Sequence, residues 1–294
     1  MRITLVTNWI DRKGLWRDGC IVEALLLSWG HHPVRVQYTD AKHAPLADLN
    51  IFLETLRPDV FPRAPLNWWM PNPEWAGPAD LAALPNVDRV VCKTREAERL
   101  FAQLTDRAVY TGFESEDRYD PTVPRETKVL HVAGGSILKG TQAVLDAWEQ
   151  YHLPYLLTVI GDEQVVKPRP IPNVTYLKWV EDAELKRLQN SHSVHLQPSE
   201  TEGWGHTIHE GLSVNASMIT TTPHATAGVT VDLPVISRKM RCLTMLHVVA
   251  DLVHVGLAVT LAVTTRPLKE SSPRDCFLAG REDFRHRLKA LVDD

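Results

Sequence analysis

The stretch Pro198-Ser-Glu-Thr-Glu202-Gly203-Trp204-Gly205-His206-Thr-Ile-His209-Glu210-Gly holds two carboxylates, Glu202 and Glu210, eight positions apart. A Gly-Trp-Gly turn lies between them and a helix is expected to start just after it. A loop feeding a helix N-terminus presents unpaired backbone N–H groups, which favour an anion such as a phosphate. On this reading Glu202 lies on the loop and Glu210 within the helix, and each accepts hydrogen bonds from sugar hydroxyls. The competing reading is a structural turn with a solvated helix face. Upstream, His131-Val-Ala-Gly134-Gly135-Ser136-Ile-Leu-Lys139-Gly140 reads as a strand, a glycine-rich turn and a Lys-Gly pair opening a helix. This is a second anion site, where Lys139 neutralises a diphosphate as a point charge. A plain strand–helix turn with a solvated lysine is the alternative. Neither the GxxxxGK[ST] nor the GxGxxG spacing is present.

Other residues carry weaker signals. Trp68, Trp69 and Trp75 cluster around Asn72 and Glu74. Aromatic faces stack on sugars or bases, although core packing is their default use. Glu74 is a candidate catalytic carboxylate on the acceptor side, with Asn72 and Trp75 beside it. Trp16 and Arg17 fall in the first strand–helix loop, and Lys93 and Thr94 directly follow a strand, so all four are candidates for acceptor-side contact. Asp117 is expected to brace a linker. His192, His195, His206 and His209 lie close in sequence. Zinc needs three or four converging ligands, and no third partner accompanies His206 and His209, so no metal is expected. His206 is a candidate for lining the ligand cleft instead.

The elements that would position these groups follow an α/β rhythm. Ile3–Thr7 reads as a strand, Asn8–Gly19 as a loop, Cys20–Trp29 as an amphipathic helix stopped by Gly30, and Pro33–Tyr38 as the next strand. Such a unit implies a right-handed crossover and a parallel sheet. Further strands are expected at 49–53, 87–92 and 108–113, with a helix at 95–104. A polar, proline-bearing stretch over 114–128 serves as linker. The pattern then restarts, with strands at 129–133, 156–160, 174–177, 194–196 and 217–221. Helices are expected at 140–151, 182–191 (capped by Asp182) and 205–213. Residues 222–244 show no clear period. The apolar window 245–263 contains His247, Asp251 and His254 and reads as a buried helix, not a membrane span. Residues 284–292 read as a final helix. Two α/β halves leave a cleft at the carboxyl ends of their strands, where ligands usually bind.

With 294 residues, the chain has the length of one large domain or two medium ones. It carries 32 basic and 36 acidic residues, a formal net charge of -4, which argues against sequence-independent binding to nucleic acid. Four cysteines lie far apart without a CxxC pair, as expected of reduced thiols in the cytoplasm. The N-terminus runs straight into a short strand and lacks the features of a signal peptide.

Taken in order, the Lys139-Gly140 turn, Val159-Ile-Gly161-Asp162, the Asn173-Val strand and Pro198-Ser-x-x-Glu202-Gly-Trp-Gly with Glu210 resemble the donor domain of retaining GT-B glycosyltransferases of family four. The resemblance spans about residues 129–222. Pro71-Asn72-Pro73-Glu74-Trp75, Cys92-Lys93-Thr94 and the segment 110–117 resemble a subgroup with a short acceptor domain. The resemblance implies two Rossmann-like domains facing across a cleft: an acceptor domain over 1–118, a linker over 119–127, a donor domain over 128–278, and a terminal helix over 279–294 returning to the first domain. It implies a nucleotide diphosphate-sugar donor, no cofactor, and retention of anomeric configuration without a metal. Lys139 would contact the diphosphate, Glu202 the donor-sugar hydroxyls, and Glu210 the ribose. Gly134, Gly135 and Gly203 would let backbone approach the ligand, and Ser136, Gly161, Trp204, Gly205 and His206 would complete the donor site. The acceptor would be a glycan, a lipid-linked glycan, a small molecule or a modified DNA base. Two departures stand out: family members carry an arginine about where Gly134 stands, and Val214-Asn-Ala-Ser replaces a glycine-proline turn. They leave a catalytically silent binding subunit as the alternative.

Overall fold

The computed structural model describes residues 1–10, 14–221, 231–233, 235–240, 246–250, 252–264 and 272–294. The chain packs as two units. One comprises Met1–Glu114 and Gly280–Asp294, and the other comprises Ser115–Lys239 and Leu246–Ala279.

The first unit is built on a six-stranded parallel sheet. Its strands are β1 (Arg2–Thr7), β2 (His32–Gln37), β3 (Leu49–Leu53), β4 (Leu66–Met70), β5 (Arg89–Cys92) and β6 (Ala108–Tyr110), in the order β2-β1-β3-β4-β5-β6. All five residues of β3, and all of β1 after Arg2, are buried. This continuous burial is that of strands covered on both faces, with Thr4, Thr7 and Asn50 as buried polar residues among the apolar ones. Helix α1 (Gly14–Ser28) buries Asp18, Val22, Leu25 and Leu26, one face at helical spacing. It ends at Gly30, whose φ of 80° closes the turn. The helix therefore takes in Trp16 and Arg17, which the sequence places in a loop. The misleading signal was Gly19. It is helical, and it is small because a Cβ there would lie 2.6 Å from the Trp9 indole. Strand β4 has no sequence counterpart above, because its Trp68-Trp69 pair reads equally well as a ligand platform; both tryptophans are buried.

Short helix α2 (Pro78–Ala83) and helix α3 (Arg95–Phe101) complete the described layers between β4 and β6. The end of the chain belongs to this unit too. Phe284 packs on Phe113 with ring centroids 4.9 Å apart, and Arg285 donates to both oxygens of Glu114 at 2.6 and 2.9 Å.

The second unit carries a parallel sheet of β7 (Glu126–Gly134), β8 (Leu157–Gly161), β9 (Val174–Leu177), β10 (His192–Gln197), β11 (Ser217–Thr221) and β12 (Val231–Leu233), ordered β12-β11-β10-β7-β8-β9. Helix α4 (Thr141–Tyr151) buries Thr141, Val144, Leu145 and Trp148, so one face meets the sheet. Burying each large apolar side chain of this kind is worth about 1.5–3 kcal/mol. Helix α5 (Asp182–Ser191) has Glu181 at its N-cap position, without a side-chain cap bond, while Asp182 occupies the first turn and accepts from Arg118. Helix α6 (His206–Ser213) follows β10. The window 245–263 is not one helix. Strand β14 (Leu246–Ala250) pairs with β13 (Val235–Met240), and the helix is only α7 (Leu252–Thr264). The run Val248-Val249 favours a strand over a helix. Helix α8 (Pro273–Asp293) begins well before the expected residue 284. Most of the stretch that shows no period in the sequence lies outside the described residues.

Candidate active site

In the second unit the chain runs outward from β7 through β8 to β9, then returns to place β10 on the other side of β7. The strand order reverses between β7 and β10, and ligands of open α/β sheets bind outside the carboxyl ends of strands at such a point. The two segments leaving these ends carry the strongest sequence candidates.

The segment after β7 turns at Gly134, whose φ of 56° coincides with a register shift against β8. Ser136 caps the 3-10 turn Ile137–Lys139, accepting from the Leu138 N–H at 3.2 Å. Gly140, at φ 68°, then starts α4. A Cβ on Gly140 would overlap the Pro198 carbonyl oxygen, so this glycine is what lets the two segments touch. The Glu200 N–H donates to the Leu138 carbonyl at 2.8 Å. Lys139 Nζ thereby lies 2.6 Å from Glu202 Oε1, which also accepts from Ser199 Oγ at 2.6 Å. Both charged side chains are largely buried, at 17% and 9% exposure. A cation and a carboxylate thus meet at the switch point, between the N-termini of α4 and α6.

Beneath them, His131 bridges β7, β10 and α4. Its Nδ1 faces the Leu196 carbonyl and its Nε2 faces Thr141 Oγ1, both at 2.8 Å. Burial pushes its pKa down to about 4, so the ring is a neutral clamp at neutral pH.

Gly205, at φ 83°, opens α6. Trp204 stacks on His209 with centroids 3.7 Å apart, and its Nε1 donates to Ser115 Oγ at 3.0 Å. Ser115 Oγ also lies 2.8 Å from His206 Nδ1. The Gly203-Trp204-Gly205 turn is therefore fastened by Ser115. Glu210 is buried in α6, with Oε2 accepting from Gln189 Nε2 at 2.8 Å. Arg118, fully buried, donates to the carbonyl and carboxylate of Asp182 at 2.9 Å. Its backbone N–H donates to Ser213 Oγ, which in turn donates to the Glu210 carbonyl at 2.7 Å. Gly161 is packed tightly: a Cβ would lie 2.6 Å from Val166 and 2.9 Å from Ala133. Gly135 has open space where a Cβ would stand. Arg118 and Gln189 were missed in the sequence because they belong to no motif and act through contacts remote in the chain, and Ser115, part of the 110–117 segment, was given no role there.

In the first unit the order reverses between β1 and β3. Lys93, one residue past β5, is buried and pairs with Asp18 of α1; its Nζ also donates to Asn72 Oδ1 at 2.8 Å. Asn72 Nδ2 donates to Glu54 Oε2 at 2.8 Å. Of the expected acceptor-side residues, Asn72 and Lys93 meet directly. Thr94 is the N-cap of α3, its hydroxyl accepting from the Ala97 N–H at 3.0 Å. Glu74 and Trp75 lie in the 3-10 turn Pro73–Trp75, and Trp75 is 61% exposed. Trp16 and Arg17 are half-buried on α1. Asp18 and Glu54 escaped notice in the sequence, since neither stands in a recognisable motif. Among the described residues, no group of three His, Cys, Asp or Glu is arranged to hold a metal ion, and no helix is long and apolar enough to cross a membrane.

No protein-family model matches the sequence, and no curated protein matches it. Solved structures do resemble the fold. The lipopolysaccharide outer core galactosyltransferase WaaB in its apo form superposes with a TM-score of 0.70 at 10% identity, covering 99% of this chain and 99% of that one. Sucrose-phosphate synthase from Thermosynechococcus elongatus gives 0.69 at 12% identity, covering 99% and 94%. A trehalose-6-phosphate structure from E. coli bound with UDP-2-fluoro glucose gives 0.66 at 11% identity, covering 100% and 98%. The chain has the two-sheet α/β fold of GT-B glycosyltransferases.

Proposed function

We propose that the protein is a glycosyltransferase of the retaining GT-B type, resembling family four, which moves a sugar from a nucleotide diphosphate-sugar to a hydroxyl acceptor. The observation that carries this reading is the Lys139–Glu202 pair at the switch point of the second sheet. On donor binding Lys139 exchanges Glu202 for the diphosphate, and Glu202 is freed to accept from the donor-sugar hydroxyls. Glu210 holds the ribose. Gly134, Gly135 and Gly203 admit the ligand to the backbone, and the N-termini of α4 and α6 add partial positive charge. The bond from the anomeric carbon to the diphosphate oxygen breaks, and the acceptor oxygen bonds to the same face. The acceptor proton passes to the departing diphosphate. Lys139 and the helix termini stabilise the negative charge that develops on the leaving group. No metal takes part, and the setting is the cytoplasm, in keeping with thiols at Cys20 and Cys92 that form no disulfide.

Lys139→Ala and Glu202→Gln test the reading. Removing a preorganised charge of this kind costs about 10²–10³ in turnover. Each variant is expected to lose at least that much donor turnover; full activity in both would remove Lys139 and Glu202 from the mechanism.

A further inference from the structure

We propose that Arg118 and Gln189 are positioning residues that seat Glu210 for the ribose of the donor, Arg118 by its charge and Gln189 by a hydrogen bond. This rests on the glycosyl transfer proposed above and assigns selection of the ribose to two residues outside its motifs.

The backbone fixes where the Arg118 side chain can lie. Residues 115–118 run alongside α6: Ser115 Oγ lies 2.8 Å from His206 Nδ1 at the start of the helix, and the Arg118 N–H donates to Ser213 Oγ at its end at 3.1 Å. The Arg118 carbonyl accepts from Asn190 Nδ2 of α5 at 2.7 Å. The main chain of Arg118 is thus pinned to both helices. Its guanidinium reaches the first residue of α5, where Nη2 donates to the carbonyl and carboxylate of Asp182 at 2.9 Å. Gln189 precedes Asn190 on α5, and its Nε2 donates to Glu210 Oε2 at 2.8 Å. All of these residues belong to the second unit.

The charges single out Glu210. Arg118 and Glu210 are both buried, whereas Glu116 and Asp182, the carboxylates bonded to the guanidinium, are more than half exposed. Water and salt screen the exposed carboxylates more than the buried one. Burial alone would lower the Arg118 pKa; the Glu210 carboxylate heads the charges that raise it above its ordinary value. Arg118 therefore compensates the charge of Glu210, while Gln189 fixes one of its oxygens. Stability alone calls for neither side chain. Arg118 Nε and Gln189 Oε1 are buried without a hydrogen-bond partner among the described residues, which costs stability, and an apolar core is generally as stable as a buried ion pair. An ionised carboxylate only accepts hydrogen bonds. Held in this way, it selects a ligand that brings hydroxyls, because a ligand without them leaves those bonds unmade.

The experiment is calorimetric titration of the full chain with UDP, GDP, ADP and CDP, each against its 2′,3′-dideoxy form. At least one ribose form is expected to bind about tenfold tighter than its dideoxy form, or more. Arg118→Gln removes the charge and Gln189→Leu removes the hydrogen bond; each is expected to cut that preference to less than about threefold. Arg118→Lys keeps the charge and is expected to keep about half of the preference or more. Asp182→Asn changes an exposed partner of Arg118 and is expected to leave the preference intact. In transfer assays, Arg118→Gln and Gln189→Leu are expected to raise the donor KM while kcat stays within about threefold, since the ribose is remote from the bond that breaks. Gln189→Leu and Arg118→Lys carry the test if Arg118→Gln does not fold. No binding by any of these nucleotides overturns the donor site and this inference with it. A ribose preference that survives in Gln189→Leu and in a folded Arg118→Gln, that Arg118→Lys loses entirely, or that Asp182→Asn also abolishes overturns this inference alone.

Discussion

Lys139 and Glu202 neutralise one another across 2.6 Å, and this makes their roles in stability and chemistry separable. Lys139→Ala takes the ammonium from a largely buried carboxylate that also accepts from Ser199. Taking the cation partner from a buried carboxylate costs several kcal/mol when the group is fully buried, and at this exposure about 1–3 kcal/mol is expected. The double variant Lys139→Met with Glu202→Gln removes both charges and is expected to regain most of that loss in thermal melts while staying inactive. A double variant as unstable as Lys139→Ala would mean that the pair is not the source of the loss. Both residues were legible in the sequence because their types and spacing form motifs. That they touch was not legible, since 63 positions separate them and only the fold closes the gap. Glu54 was hidden for a similar reason: a lone glutamate after a strand is unremarkable until its contact with Asn72 is known.

At the level of elements, periodicity and strand–helix alternation revealed most of the strands and helices, but glycines misled where they serve packing. Gly19 looked like a loop glycine and is a helical contact for Trp9. Strand β4 was masked by its own aromatic residues. Gly140 makes the sharpest element-scale prediction. It combines a left-handed conformation with contact on Pro198, so Gly140→Ala must both strain the backbone and push apart the segments bearing Lys139 and Glu202. A stability loss of about 2 kcal/mol or more is expected in denaturant unfolding, together with reduced donor turnover. Gly135→Ala has open space and an ordinary φ, so it is expected to cost less than about 1 kcal/mol. Equal losses in the two variants would show that the close approach at Gly140 is unimportant.

For the whole molecule, the buried histidines tie stability to pH. Burial is the leading cause that lowers His131 and His209 to about 4 and His195 to about 3, against an ordinary value near 6.5. A folded-state pKa below the unfolded one means that the unfolded chain binds these protons first. Their contribution is therefore complete above pH 6.5 and is lost as the pH falls toward 4. One pKa unit corresponds to about 1.4 kcal/mol, so His131 and His209 each weaken the fold by about 3 kcal/mol at pH 4. Melting temperature is expected to be flat from pH 7 to 8 and to drop steeply below 6. His131→Gln is expected to flatten that slope, and an unchanged slope in it would mean that His131 does not titrate as described.

The division into two sheets was readable from the restart of the pattern after the proline-bearing linker. Its exact edges depend on Ser115 and on α8, whose contacts no local signal encodes.

The most direct test is a thermal-shift and hydrolysis screen of the intact protein against a panel of nucleotide sugars, with and without chelator. One donor is expected to stabilise the fold by about 2–3 kcal/mol when present at a hundredfold excess over its dissociation constant. It should release nucleoside diphosphate slowly, whether or not chelator is present, and both effects should vanish in Lys139→Ala. No shift with any nucleotide sugar, or a shift that Lys139→Ala retains in full, would contradict a donor site at the β7–β10 switch point.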